Sequence, residues 1–146
     1  MNNSSLYDEK TFYAQFIRDL LNCTQEVIIE SPYVTTGRAK LLIPVFQILL
    51  DRGVKIYIMT RDPKEHDSFM EPQSEETITQ FEIMGVEVLL CVGNHHRKLA
   101  ILDRKVVWEG SLNILSQTHS REFMRRIENK KTAVETFNFL NWSKFV

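Results

Sequence analysis

His96-Arg97-Lys98-Leu99-Ala100-Ile101-Leu102-Asp103 and, after six intervening residues, Gly110-Ser111-Leu112-Asn113 are the stretch from which the rest of this 146-residue chain can be read. The apolar runs at 98–103 and 106–109 are each of strand length, and Arg104-Lys105 marks a tight connection, so the segment reads as a β-hairpin. Folding it brings the His-x-Lys end beside the Gly-Ser-x-Asn end. An imidazole, an ammonium, a hydroxyl and a carboxamide then share one site, which is equipment for attacking and holding a phosphodiester.

The two-residue period of a strand turns Leu99 and Ile101 to one face and His96 and Lys98, with Ala100 and Leu102, to the other. His96 is expected to act as nucleophile toward phosphorus, and Lys98 to neutralise a nonbridging oxygen as charge develops. Ser111 and Asn113 share the same period and are expected to donate to the remaining phosphate oxygens, with Gly110 permitting close backbone approach. Asp103 falls at the turn, a strand's length from His96, and is read as structural support. His95 faces the opposite side and reads as a solvated neighbour; His119 falls in a loop.

Working outward, apolar positions in residues 8–22 recur at helical spacing, residues 26–30 form a β-branched strand, and residues 39–51 are helical up to Arg52-Gly53. A second strand follows at 54–60. Residues 61–73, with two prolines, read as a surface loop, and Ser74 as the N-cap of a third helix ending before Gly85. Strands at 86–92 and 122–127 and a helix at 132–142 complete the order. The helix and strand alternation of the first half requires parallel crossovers, while the closely spaced strands of the second half require antiparallel partners. The expected fold is therefore one α/β domain over residues 1–146, a mixed, mostly parallel β-sheet flanked by helices on both faces.

Residues 95–131 carry nine Lys and Arg against four Asp and Glu, although the whole chain has a net charge of −1. A local positive field of this kind attracts a polyanion while the acidic remainder limits binding elsewhere. Arg125 and Arg126 are expected to track phosphates beside the site. Arg61, following a strand end where open α/β sheets place ligands, joins them as a candidate. No leader or membrane-spanning run is visible, so a cytoplasmic protein without membrane contact is expected. Cys23 and Cys91 match no metal-ligand spacing and read as reduced buried thiols.

His96, Lys98, Asp103, Gly110 and Ser111, with Asn113, fit the signature of the phospholipase D superfamily, and the chain resembles its small bacterial nucleases. The resemblance implies two-step phosphoryl transfer through a phosphohistidine, with no metal or other cofactor, and a role for Glu122 in orienting a histidine ring. It also implies two copies of the motif per site. This chain holds one, because His95 is out of register and His119 lacks a following lysine at the second position, so a homodimer is expected to supply the pair. Residues 108–116 resemble modules attached to helicases, which adds helicases or other DNA-processing proteins as expected partners. A nuclease acting on nucleic acid, DNA before RNA, is the leading expectation. A phosphatidyl-group hydrolase or transferase, or a non-catalytic nucleic-acid-binding dimer, are the alternatives.

Overall fold

The computed structural model describes residues 3–67, 70–116 and 119–146. In chain order the elements are β1 (Ser4–Asp8), α1 (Phe12–Leu21), β2 (Glu26–Glu30), α2 (Thr36–Asp51), β3 (Lys55–Arg61), α3 (Met70–Met84), β4 (Glu87–Cys91), β5 (Leu99–Leu102), β6 (Val106–Gly110), β7 (Phe123–Glu128) and α4 (Lys130–Phe139). Short 3-10 turns lie at Pro63–Glu65 and Trp142–Lys144. The seven strands form a single sheet in the order β1-β7-β6-β5-β2-β3-β4.

Two hydrophobic layers explain why the sheet can be apolar on both faces. Val27, Ile29, Ile56, Ile58, Ala100 and Trp108 pack against Phe12, Phe16, Phe46 and Phe81 from α1, α2 and α3. On the other side, Ile28, Tyr57, Leu99, Ile101 and Val107 pack against Ala133 and Phe137 of α4 and against Trp142. Both sets of alternating residues in β5 are therefore buried.

The α/β class and the mixed sheet with helices on both faces are as expected, but the expectation of a mostly parallel sheet holds only for strand direction. β2, β3 and β4 pair in parallel, whereas β5, β6, β7 and β1 extend the sheet through antiparallel ladders, so antiparallel pairs outnumber parallel ones. For β5 and β6 the reason is their connection, the tight turn Asp103-Arg104-Lys105, which leaves no room for a crossover helix. β1 was not expected from the sequence: it is an antiparallel edge on β7, and only Tyr7 of it packs inward, its ring 5.0 Å from that of Trp108.

α3 also begins earlier than expected. Pro72 sits in its first turn, where no backbone donor is required, so the helix runs from Met70 and absorbs part of the expected loop. Ser74 is then not the cap but a buried helical residue whose hydroxyl donates to the Val34 carbonyl at 3.2 Å. Residues 68 and 69 of the expected loop lie outside the described residues. α2 stops where expected, with Gly53 at φ +85 after the helix. No helix among the described residues is long and apolar enough to cross a membrane.

Candidate active site

β5 runs antiparallel to β2, with Leu99 opposite Glu30, so the start of β5 lies at the C-terminal edge of the parallel strands. The β5–β6 hairpin sets Leu99 opposite Glu109, and β7 sets Met124 opposite Gly110. The His-x-Lys segment, the end of β6 and the start of β7 consequently meet at one edge of the sheet. They line an open cleft of about 590 Å³ formed by His96, Arg97, Lys98, Leu99, Glu109, Gly110, Ser111, Phe123 and Arg125.

His96 is exposed, and the Lys98 ammonium donates to the His96 carbonyl at 3.1 Å. Both groups are accessible to a ligand from the cleft. Ser111 is more heavily engaged: its N–H donates to the Phe123 carbonyl at 3.0 Å and its hydroxyl accepts from the Phe123 N–H at 3.0 Å. Gly110 explains why that clamp forms. A Cβ at this position would collide with the Phe123 carbonyl oxygen and lie 2.9 Å from Met124 Cα. Glycine at this position is thus required by the close approach of β6 and β7.

Asn113 does not line the cleft. Its side-chain oxygen is buried and has no hydrogen-bond partner among the described residues, while its backbone carbonyl accepts from the Ser116 N–H at 3.0 Å. A carboxamide left untied in this way retains hydrogen-bonding capacity. Glu122 is half-buried and outside the cleft lining; its N–H donates to Glu9 Oε1 at 2.8 Å, and among the described residues its carboxylate accepts from no histidine. Asp103 lies at the far end of β5. Its carboxylate accepts from the N–H groups of Thr24, Gln25 and Glu26 at 2.8–3.0 Å, and Asp103 and Arg104 both take positive φ in the hairpin turn.

Two of the three arginine candidates are committed elsewhere. Arg126 forms a two-pronged pair with Asp19, Nε to Oδ2 at 2.7 Å and Nη2 to Oδ1 at 3.0 Å, on the sheet face that carries Trp108. Trp108 itself is fully buried and donates to the same carboxylate at 2.9 Å. The expectation of phosphate tracking by Arg126 is corrected accordingly: one strand position from Arg125, it faces the opposite layer. Arg61 is buried and held by Tyr33 Oη at 3.0 Å, Glu65 at 3.3 Å and Asn94 at 3.4 Å, bracing the loop that leads to His96. Of the three candidates, Arg125 is the one that lines the cleft.

His95 is likewise not a solvated neighbour. Its side chain is 10 % exposed and its Nε2 lies 3.1 Å from Oε1 of Glu30. Glu30 is entirely buried and also accepts from Arg97 Nε at 2.7 Å and Trp142 Nε1 at 2.8 Å. Burial is the largest influence on its carboxyl and pushes its pKa up, but the hydrogen bonds from His95, Trp142 and Arg97 together outweigh it and hold the group below its ordinary value. Sequence reading passed over Glu30. Its signal is a carboxylate at the end of a buried strand whose three central residues, Val27, Ile28 and Ile29, are all apolar. Cys23 is buried, and its thiol is pushed up to about 12, chiefly by burial and further by Asp103 and Asp19; Cys91 is only half-buried. Among the described residues no three His, Cys, Asp or Glu side chains form a group able to hold a metal ion.

A sheet of this order, with His-x-Lys and Gly-Ser at one edge, defines a phospholipase D-like domain. The family described as "Cardiolipin synthase, PLD-like domain" matches residues 16–141, and the chain belongs to it. Among solved structures, NucT from Helicobacter pylori superposes with a TM-score of 0.71 at 19% identity, covering 95% of this chain and 93% of NucT. Nuc from Salmonella typhimurium, a phospholipase D family member, gives 0.73 at 16% identity, covering 93% of this chain and 91% of Nuc. Phosphatidylserine synthase from Haemophilus influenzae Rd KW20 gives 0.66 at 16% identity, covering 97% of this chain but 38% of the synthase. No curated protein sequence matches the chain significantly. Family and fold together support a phosphodiesterase-type enzyme.

Proposed function

We propose that this protein is a metal-independent phosphodiesterase that hydrolyses nucleic acid, DNA in preference to RNA, through a phosphohistidine at His96. The observation that carries the proposal is the shared cleft of His96, Lys98 and Ser111, with Arg97 and Arg125 on its walls. A neutral imidazole nitrogen of His96 attacks phosphorus, forming the N–P bond as the P–O bond to the leaving group breaks. The Lys98 ammonium stabilises charge on the nonbridging oxygens. The leaving oxygen takes a proton from a second imidazole, which then removes a proton from the water that attacks phosphorus and releases His96.

One chain supplies one His-x-Lys. We assign the second imidazole to His96 of another copy, related by a two-fold axis, as the family resemblance implies. Asn113, and Glu122 as support for a histidine ring, are assigned to this composite site rather than to the single-chain cleft. Arg125 is assigned to the nucleic-acid backbone. The second reading, transfer or hydrolysis of phosphatidyl groups, draws on the description of the family itself.

The test is cleavage of labelled single- and double-stranded DNA, RNA, a phosphatidyl ester and a chromogenic phosphodiester, each in EDTA, with His96→Ala alongside. Nucleic-acid cleavage that persists in EDTA and disappears in His96→Ala is expected. Cleavage abolished by EDTA, or undiminished in the variant, overturns the proposal, and activity confined to the phosphatidyl ester selects the second reading.

A further inference from the structure

The residues that carry the proposed chemistry lie outside the sheet ladders. β2 and β5 pair only from Glu30 and Leu99 inward, and residues 94–98 belong to no strand or helix. On the β2 side the chain continues into Ser31-Pro32, and proline has no N–H with which to extend a ladder. The start of the segment is held from the side, by Glu65 Oε2 accepting from the Gly93 N–H at 2.8 Å and by Arg61 reaching Asn94. For residues 95–98 the corresponding anchor is Glu30.

This carboxylate collects Arg97, His95 and Trp142 at 2.7, 3.1 and 2.8 Å, and it is wholly buried. A buried carboxylate is tolerated only when paired, so Glu30 is held by its hydrogen bonds from Arg97 and Trp142, and in turn it fixes Arg97 and the adjacent imidazole of His95. His95 and Arg97 stand on either side of His96 and are drawn to the same carboxylate. Leu99 and Ile101 of β5 face the same layer as Trp142, so His95 and Arg97 continue their side of the alternation and His96 falls on the other. We infer that Glu30 is a positioning residue for His96: by tying down both sequence neighbours it holds the imidazole toward the cleft, and Trp142 couples that arrangement to the C-terminal turn. Its catalytic consequence rests on the phosphodiesterase reading; its structural consequence does not.

Glu30→Gln keeps the shape and removes the charge. Three measurements on the full chain test the inference: amide hydrogen exchange without substrate, thermal unfolding, and kcat and KM on a phosphodiester. Exchange at residues 94–98 is expected to rise about ten-fold or more while β3 and β6 keep their protection, and kcat is expected to fall about ten-fold or more with KM within about three-fold. Trp142→Phe leaves both His95 and Arg97 on the carboxylate. It is expected to lower the melting temperature yet change neither exchange at 94–98 nor kcat by more than about three-fold.

Should Glu30→Gln not fold, Arg97→Gln, at a side chain 45 % exposed, is expected to loosen 94–98 in the same way. Unchanged exchange at 94–98 in either folded variant, or equal loosening by Trp142→Phe, overturns the inference. If exchange responds as expected but the wild type cleaves no phosphodiester, the functional reading fails and the positioning role stands.

Discussion

Gly110→Ala is the sharpest single test of how the site edge is built. Gly110 lies in a strand, opposite Met124, and its φ is not in the left-handed region, so alanine meets no conformational penalty from the backbone. The cost comes from contact alone. The new methyl would overlap the Phe123 carbonyl oxygen and lie 2.9 Å from both Met124 Cα and Sδ, and two of these three obstacles are backbone atoms that cannot rotate aside. β6 and β7 must part, and the two 3.0 Å bonds between Ser111 and Phe123 lengthen with them. Overpacking contributes about 1–3 kcal/mol, and each weakened hydrogen bond about 1 kcal/mol. The sum, about 3–5 kcal/mol, lowers the melting temperature by roughly 10 °C or more for a domain of this size. Urea unfolding of Gly110→Ala beside Glu109→Ala, an exposed neighbour on the same strand, gives the comparison directly. A loss below about 0.5 kcal/mol, the range of an ordinary surface change, would mean that β6 and β7 accommodate a methyl group at Gly110 without parting.

Asp19→Ala leaves the Arg126 guanidinium and the Trp108 N–H without their shared acceptor and is expected to destabilise by about 3–5 kcal/mol in chemical denaturation. Arg125→Gln should weaken nucleic-acid binding and reduce the salt dependence of affinity by roughly one phosphate contact, whereas a folded Arg126→Gln should leave that slope unchanged; titrations at several salt concentrations separate them. Because the Glu30 carboxyl is held below its ordinary value in the folded protein, its contribution to stability is complete above pH 4.5 and is lost as pH falls through the lowered value. Glu30→Gln should therefore show a shallower loss of stability than the wild type below pH 4.5, measured by denaturant midpoints across pH. The Cys23 thiol, pushed up to about 12, should resist alkylation at pH 8 in the folded protein and react once it is unfolded, as read by mass spectrometry.

The central hairpin was legible because its information is local: two apolar runs, a short connection and polar groups at their ends leave one way to fold. Gly53 likewise announced the end of α2 through its own backbone preference. β1 was not legible, since an edge strand that buries little more than Tyr7 carries almost no hydrophobic period. The start of α3 was obscured by Pro72, which reads as a helix breaker in a sequence and is harmless in a first turn. Arg126 shows a further limit. An arginine on a strand face reads the same whether solvent or a carboxylate lies opposite, and Asp19 is 107 residues away. The Glu30 cluster was hidden for the same reason: it joins β2, the segment before β5 and the C-terminal turn, a convergence that only the sheet order creates.

In the proposed reaction His96 forms a bond to phosphorus, and the stereochemistry of cleavage is the measurement that reads this out. A phosphorothioate diester of known configuration, cleaved in isotopically labelled water in the presence of EDTA, reports how many displacements occur at phosphorus. Two in-line displacements, first by His96 and then by water, predict net retention. Net inversion would mean that water attacks the diester in a single step, and would contradict the phosphohistidine.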